Sequence, residues 1–244
     1  MKRPLGIVLY NGPSMLDGAP IIVILNAFRP RNRKTGDMLQ TWILRKDEDP
    51  TQAVQSGADA SVCGDCPLRG EVIDGRNTGR ACYVNIGQAP WSVWTAYHAG
   101  SYSEWSDDHS QYLAGRRVRL GSYGDPAAVP YSVWRDLLAL TAGHTGYTHQ
   151  WRTGRFWRLR RYVMASTETT SDTRAAKSKK WRVFQVGSSR PKGLTLCPAS
   201  KEAGEKTTCD KCGACDGNES SRRSVFIQAH GSPSVISNFR KSQA

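Results

Sequence analysis

Seven cysteines fall in two groups along this chain of 244 residues. The first, in "CGDCPLRGEVIDGRNTGRACYVN", holds Cys63, Cys66 and Cys82 at C-x2-C-x15-C. The second, in "LCPASKEAGEKTTCDKCGACDG", holds Cys197, Cys209, Cys212 and Cys215 at C-x11-C-x2-C-x2-C. A C-x2-C pair lets two thiolates converge on one metal from a tight turn, and Gly64, Pro67 and Gly213 suit such turns. Both groups therefore read as metal sites.

The spacings leave the metal open between an iron-sulfur cluster and zinc. Structural zinc usually draws four ligands from two separated C-x2-C knuckles, whereas closely spaced thiolates in a C-x2-C-x2-C run reach different irons of one cube. The four-cysteine group fits a [4Fe-4S] cluster better. The three-cysteine group lacks a fourth ligand: His98 completes a closed Cys3His zinc site, or the fourth position stays open to substrate.

Lys and Arg outnumber Asp and Glu by 34 to 21, a net charge of +13 that points to a polyanionic partner or an anionic substrate. The stretch "HQWRTGRFWRLRRY" carries Trp151, Arg152, Arg155, Trp157, Arg158, Arg160 and Arg161 together with Phe156 and Tyr162. Guanidinium groups neutralise phosphates and aromatic faces accept unpaired bases at about 1 to 3 kcal/mol per stack, so the mix suits single-stranded nucleic acid. "RPRNRK", from Arg29 to Lys34, and the Arg222 and Arg223 pair extend that footprint. The longest apolar run, "APIIVIL", is far below the roughly 20 residues that span a bilayer. The apolar run after "MKRPLG" is too short for a secretory leader. A cytoplasmic, reducing setting without a membrane partner is expected, where clustered cysteines bind metals more often than they form disulfides.

The elements that must position these residues alternate. Helical spacing marks "PWSVWTAYHAG", "PYSVWRDLLALTAG" (opened by Pro130, closed by Gly143) and "SDTRAAKSKK", with Asp172 after Ser171 as its cap. A strand is expected at Arg117 to Leu120, with others in "GYTHQW", "RYVMAST", "WRVFQV", "LTLCP" and "SVFIQAHG". The rhythm predicts one α/β domain over 1–244: a partial (β/α) barrel or a parallel-sheet core, with 195–217 as a cysteine-rich metal-binding segment within it. Polar residues follow the expected strands: Tyr123, Gly124 and Asp125; His149 and Gln150; Thr167 and Glu168; Ser188 and Arg190; Ser200 and Lys201; His230. Loops after the C-terminal ends of parallel strands build sites. One rim is thus expected to carry the chemistry and the cysteines, with Asp125, His149 and His230 as candidate acid and base groups. Walker A, G-x-G-x-x-G, H-E-x-x-H and G-x-S-x-G motifs are absent.

The combination "KTGDMLQTWIL", "SVCGDCPLRG", "ACYVNIGQAPWSVW", "RLGSYGDPAAVP", "HTGYTHQW" and "CDKCGACDG" resembles a family of bacteriophage proteins without an assigned activity. A broader likeness is to the radical S-adenosylmethionine enzymes, whose partial barrels place a three-cysteine [4Fe-4S] loop before a first helix and a Gly-Gly-Glu-Pro segment at the end of the next strand. Cys63, Cys66 and Cys82 match that pattern in number and order but not in its C-x3-C-x2-C spacing. Tyr123, Gly124, Asp125 and Pro126 stand where the cofactor-binding segment would be. The resemblance implies S-adenosylmethionine as a second cofactor, an auxiliary cluster or structural cap on the four-cysteine group, and the host cytoplasm as location. Two functions are expected from these observations. The first is an iron-sulfur enzyme acting on nucleic acid or a nucleotide-like anion. The second is a non-catalytic single-stranded nucleic-acid-binding protein of phage replication, stapled by zinc or a closed cluster.

Overall fold

The structure is a computed structural model and describes residues 4–26, 33–218 and 222–243. An antiparallel meander opens the chain: β1 (Ile7–Pro13), β2 (Pro20–Asn26) and β3 (Leu39–Arg45). Two short helices follow, α1 (Pro50–Ser56) and α2 (Ala60–Cys63), then a hairpin of β4 (Glu71–Ile73) and β5 (Arg76–Thr78). Next come α3 (Ala89–His98), β6 (Ser103–Glu104), β7 (Arg117–Tyr123), α4 (Tyr131–Ala139) and β8 (Gly143–Thr148). After 3-10 turns at Gln150–Arg152 and Gly154–Arg161, the chain forms β9 (Met164–Thr167), α5 (Thr170–Ser178) and β10 (Val183–Gly187). It ends with β11 (Thr195–Leu196), α6 (Cys209–Cys212), β12 (Val225–Gln228) and α7 (Pro233–Lys241).

Ten strands join in one sheet, ordered β11, β12, β10, β9, β8, β7, β3, β2, β1, β6. Every pairing from β3 across to β11 is parallel, so the α/β reading holds with a large, mostly parallel sheet. β2 reads "PIIVILN", with Ile21 to Leu25 all fully buried, the continuous apolar run of a strand covered on both faces. From β7 to β10 each crossover moves one strand in the same direction. Since such crossovers are right-handed, they stack their helices on one face of the sheet. That face packs Val118, Leu120, Ala165 and Val183 against Trp134 and Leu137 of α4 and Ala176 of α5. A buried chain of hydrogen bonds pins α5 there: Thr167 Oγ1 lies 2.8 Å from Thr173 Oγ1, which donates to Gln185 Oε1 at 2.9 Å.

Because strand side chains alternate, the intervening residues Arg119, Tyr123, Tyr147, Phe184, Val186, Val225 and Ile227 look the other way, into a cavity. Three local expectations change. The strand begun at Arg117 runs on to Tyr123. Helix α4 stops at Ala139, because Gly143 is already paired with Arg117 as the first residue of β8. Helix α5 is capped by Thr169, whose hydroxyl accepts from Asp172 N at 3.0 Å, rather than by Asp172. Among the described residues no helix is long and apolar enough to cross a membrane.

Gly124 closes β7 with φ +83°, and a Cβ there would lie 2.6 Å from Ile43 Cβ and 2.8 Å from the Ile43 carbonyl oxygen of β3. Gly124→Ala is expected to destabilise the protein by about 2 to 4 kcal/mol, the sum of left-handed strain and overpacking. Chemical denaturation showing less than about 0.5 kcal/mol of loss would contradict this packing of β7 on β3.

Candidate functional site

All seven cysteines line one cavity of about 290 Å³ on the sheet face turned away from α4 and α5. Every one is a free thiol. The cavity is walled by the inward residues of β7, β8, β10 and β12 and by Val235, Ile236 and Phe239 of α7.

The three-cysteine set sits at the C-terminal rim. Asp49 caps α1, accepting from Thr51 N at 2.8 Å, and Gly57 ends it in the left-handed conformation, which turns the chain directly into α2 and Cys63. Asp125 N donates to Val62 O at 2.6 Å, clamping α2 to the end of β7. The ion pair of Arg69 with Asp59, 2.6 Å, fixes the turn holding Cys66, and Cys82 N donates to Leu68 O at 2.9 Å to bring the third cysteine back. Gly64 has φ +60°, and Gln150 fills the space a Cβ would need. Burial pushes the Cys63 thiol well above its ordinary value, reinforced by Asp59 and the two neighbouring cysteines. Burial also raises Cys82, against the opposing charge of Arg80. As free thiols both stay protonated, so any metal here must displace protons.

Three expected rim residues come together beside this set. The Asp125 carboxylate is a bracket: Oδ1 accepts from Thr148 Oγ1 at 2.7 Å and Ala127 N at 2.9 Å, and Oδ2 accepts from His149 N at 2.8 Å. Its burial raises its pKa while those bonds hold it down. A carboxylate so engaged positions β8 and is not free to exchange protons with a substrate. His149 Nε2 lies 2.8 Å from Glu168 Oε1 and 3.9 Å from Cys66 Sγ. Glu168 is only 4% exposed and its Oε2 has no partner. Burial disfavours the His149 imidazolium, but the charges of Cys66 and Glu168 and their hydrogen bonds outweigh it and hold the pKa well above the usual histidine value. Tyr123, also on the cavity wall, is buried with an unpartnered hydroxyl.

His230 and His98 stand apart from this group. His230 lines the cavity against Tyr83, ring centroids 5.0 Å apart, with Nδ1 3.0 Å from Gln228 O. His98 packs on Trp94 and its Nε2 donates to Lys46 O at 2.8 Å, outside the cavity lining, so the histidine beside the three cysteines is His149.

The four-cysteine set lies lower on the same face, which corrects the expectation of a single rim. Cys215 O accepts from Gly146 N, inside β8, at 3.0 Å, and Cys197 N donates to Phe226 O of β12 at 2.8 Å. Cys209 N donates to Lys34 O at 3.0 Å, and Gly213, φ +58°, ends α6 and turns the chain toward Cys215. Arg182 ties the segment down through Asp216 Oδ1 at 2.5 Å and Ala214 O at 2.7 Å. Burial, with the surrounding cysteines and against a Tyr147 hydrogen bond, pushes the Cys215 thiol up to about 12. The segment 195–217 therefore packs into the domain rather than hanging from it. Among the described residues no three His, Cys, Asp or Glu side chains stand in metal-holding geometry. The cysteines are gathered on one cavity but not drawn onto a common point.

The basic-aromatic stretch lies on the other side of the sheet. Trp151 is 2% exposed and donates from Nε1 to Ser166 O at 2.8 Å, so it is core and cannot stack on a base. Arg152 covers its ring at 4.5 Å and pairs with Asp172 at 3.0 Å. Trp157 is 54% exposed with Arg160 over it at 5.3 Å, while Arg155 covers Phe156 at 5.1 Å. Arg158 and Arg161 join Arg135 and Tyr131 around an open depression of about 770 Å³. Arg29 and Arg31 lie outside the described residues. Arg33 pairs with Glu205 at 3.2 Å and Arg222 donates to Cys212 O, which ties both to the C-terminal cysteine segment.

No protein-family model, curated protein or solved structure matches the chain.

Glu168→Gln is expected to lower the His149 pKa. Since a folded-state pKa raised above the unfolded value of about 6.5 stabilises below that value and ceases to do so as pH rises through the folded one, the variant should lose stability mainly at acidic and neutral pH. Imidazole NMR titration and denaturation at several pH values check both. An unshifted His149 would show that the pair does not set its charge.

Proposed function

We propose that this chain is an iron-sulfur enzyme on a partial barrel resembling the radical S-adenosylmethionine enzymes, acting on nucleic acid or a nucleotide-like anion. The observation that carries this reading is that all seven unpaired cysteines line one cavity. From β7 to β10 the strands step in one direction, which supports an arc of a barrel, since a doubly wound sheet reverses at a switch point. Thiols are the donors iron-sulfur clusters take, and none here is spent on a disulfide. Cys63, Cys66 and Cys82 would hold a [4Fe-4S] cluster, and Cys197, Cys209, Cys212 and Cys215 a second cluster or zinc. Such a cube, held by three protein thiolates, would leave one iron exposed to a ligand.

The chain's own residues have separate tasks around that site. His149 holds a proton at Nε2, shared with Glu168. Asp125 fixes the backbone of His149. Of Tyr123, Gly124 and Asp125, Tyr123 has a buried hydroxyl without a hydrogen-bond partner, available to a bound molecule. Free cysteines in this number suit a reducing cytoplasm, that of a host cell if the chain is phage-encoded. Across the sheet, Trp157 and the arginines around the open depression would bind single-stranded nucleic acid.

The position of His149, 3.9 Å from Cys66, favours a second reading. There it would be the fourth ligand of a Cys3His zinc site in a non-catalytic nucleic-acid-binding module of phage replication.

Anaerobic purification with metal analysis separates the two readings. Brown protein containing iron and sulfide in roughly equal amounts is expected, with a cluster spin-resonance signal that S-adenosylmethionine perturbs. Colourless protein with stoichiometric zinc would replace the enzyme reading with the second, and metal-free soluble protein would end both. Replacing Arg158, Arg160 and Arg161 by Ala should flatten the slope of log affinity for a single-stranded oligonucleotide against log salt by about 2. An unchanged slope would remove this surface from nucleic-acid binding.

A further inference from the structure

The cavity holds a half-buried cation that no carboxylate matches. Arg119 sits in β7 between the fully buried Val118 and Leu120, and its side chain turns the opposite way, into the cavity. There Nη2 donates to Tyr83 Oη at 2.6 Å, and the buried Nε has no hydrogen-bond partner. Two aspartates line the same space, and both are engaged elsewhere. Asp59 pairs with Arg69 at 2.6 Å, and Asp125 accepts from the Thr148 hydroxyl, Ala127 N and His149 N. Among the described residues no carboxylate reaches Arg119. A guanidinium withdrawn from water without an opposite charge is costly, so the cavity favours an anion beside it.

An irregularity in β7 brings a second polar group to the same place. Gln40 of β3 pairs with Arg119 and Trp42 with Tyr123, so four steps along β7 match two along β3. The Thr41 hydroxyl holds this bulge, donating to Arg119 O at 3.0 Å and accepting from Gly121 N at 2.8 Å. Arg119 and Tyr123 are thereby drawn to about 7 Å of strand length, where a regular strand would separate them by about 13 Å. Gly121 lines the cavity between them and puts no side chain in the gap. Tyr123 is 4% exposed, and its hydroxyl has no partner. The wall beside these two groups is apolar, formed by Phe184, Val186, Val225 and Ile227. At about 290 Å³ the space is at the lower end of pockets that take small molecules.

We infer that this cavity binds a small organic anion: its carboxylate or phosphate meets Arg119, its apolar body lies on the Phe184 wall, and an acceptor on it takes the Tyr123 hydroxyl. Tyr83 is a positioning residue that aims the guanidinium. The inference rests on the anion in the function proposed above, to which it gives a place and a size, and it requires no metal.

The test is calorimetric titration of the full chain as isolated. The probes are para-hydroxyphenylpropanoate and adenosine monophosphate, with para-hydroxyphenylpropanol and adenosine as their uncharged counterparts. At least one anion is expected to bind more tightly than about 1 mM, the weak end of ordinary substrate affinity, and about tenfold or more tighter than its counterpart. The anion that does so tells carboxylate from phosphate. Arg119→Met should weaken it about tenfold or more and leave the uncharged counterpart unchanged, and Tyr123→Phe should cost about threefold to tenfold. Neither anion binding, wild-type affinity in Arg119→Met, or a loss shared equally by the uncharged counterpart overturns the inference. If Arg119→Met does not fold, the half-exposed Tyr83 carries the test as Tyr83→Phe: about threefold weaker binding of the anion alone supports the site, and unchanged affinity overturns it. Metal analysis fails separately. Colourless protein with Arg119-dependent binding keeps the inference without the iron-sulfur reading, and brown protein that binds neither anion keeps that reading without the inference.

Discussion

The structure depends on one constraint, the two-residue period of the parallel strands β7 to β10, which step across the sheet in a single direction. Right-handed crossovers from β7 to β10 send α4 and α5 to the same face, and alternation then assigns each residue a side. Val118 and Leu120 go to the helices while Arg119 and Tyr123 go to the cavity. Shifting the register of β7 by one residue would exchange these sets, burying Arg119 under Trp134 and turning Leu120 to the cysteines. The apolar packing of one face therefore enforces the chemistry of the other. The Thr167, Thr173 and Gln185 chain adds a directional term, because misplacing α5 strands buried hydroxyls without partners.

The rim is built by a second layer of constraints, most of them carboxylates acting as acceptors. Asp125 gathers a backbone N–H from its own loop, a hydroxyl from β8 and the N–H of His149, while its own N–H reaches back to α2. One residue thus sets the spacing between the first cysteine turn and the end of β8. Asp59 does the same for the Cys66 turn through Arg69. Both are in the part of the molecule where an unsatisfied group costs most, so their loss would act on the site through geometry rather than through chemistry.

Much of this was legible in the chain and some was not. The strand and helix rhythm gave the α/β class because β7, α4 and α5 carry clear patterns, and the polar residues after β7, β8 and β9 do converge, as Asp125, His149 and Glu168 show. The cysteine spacings brought all seven thiols to one cavity, but among the described residues no three of them stand in metal-holding geometry. Trp151 misled because an aromatic among arginines reads the same whether it stacks outward or fills the core; its bond to Ser166 O comes from a strand fifteen residues away in sequence, which local pattern cannot reveal. His98 misled for the converse reason. A histidine near cysteines in sequence was instead claimed by Trp94 and Lys46 O, while His149, much farther along the chain, was delivered to Cys66 by the parallel pairing of β7 and β8. In "RVRL" alternation places Arg119 in the cavity because Val118 and Leu120 on either side of it are buried on the helix face.

The two faces also constrain what a single partner can do. The cavity is small, and Phe184, Val186, Val225 and Ile227 give it a dry wall in which each charge acts strongly. The depression bounded by Arg135, Arg158 and Arg161 is open, and any gain of its cations from phosphates would come chiefly from releasing counterions. The sheet lies between them. If nucleic acid binds as proposed, a strand held by Arg158 could not place the same nucleotide against Cys66, so only an end or an extruded unit of it would enter the cavity. A small anion would use the cavity alone and leave the arginine face without a role. The dependence of cavity occupancy on the length of the anion is therefore the property that tells whether the two faces serve one function.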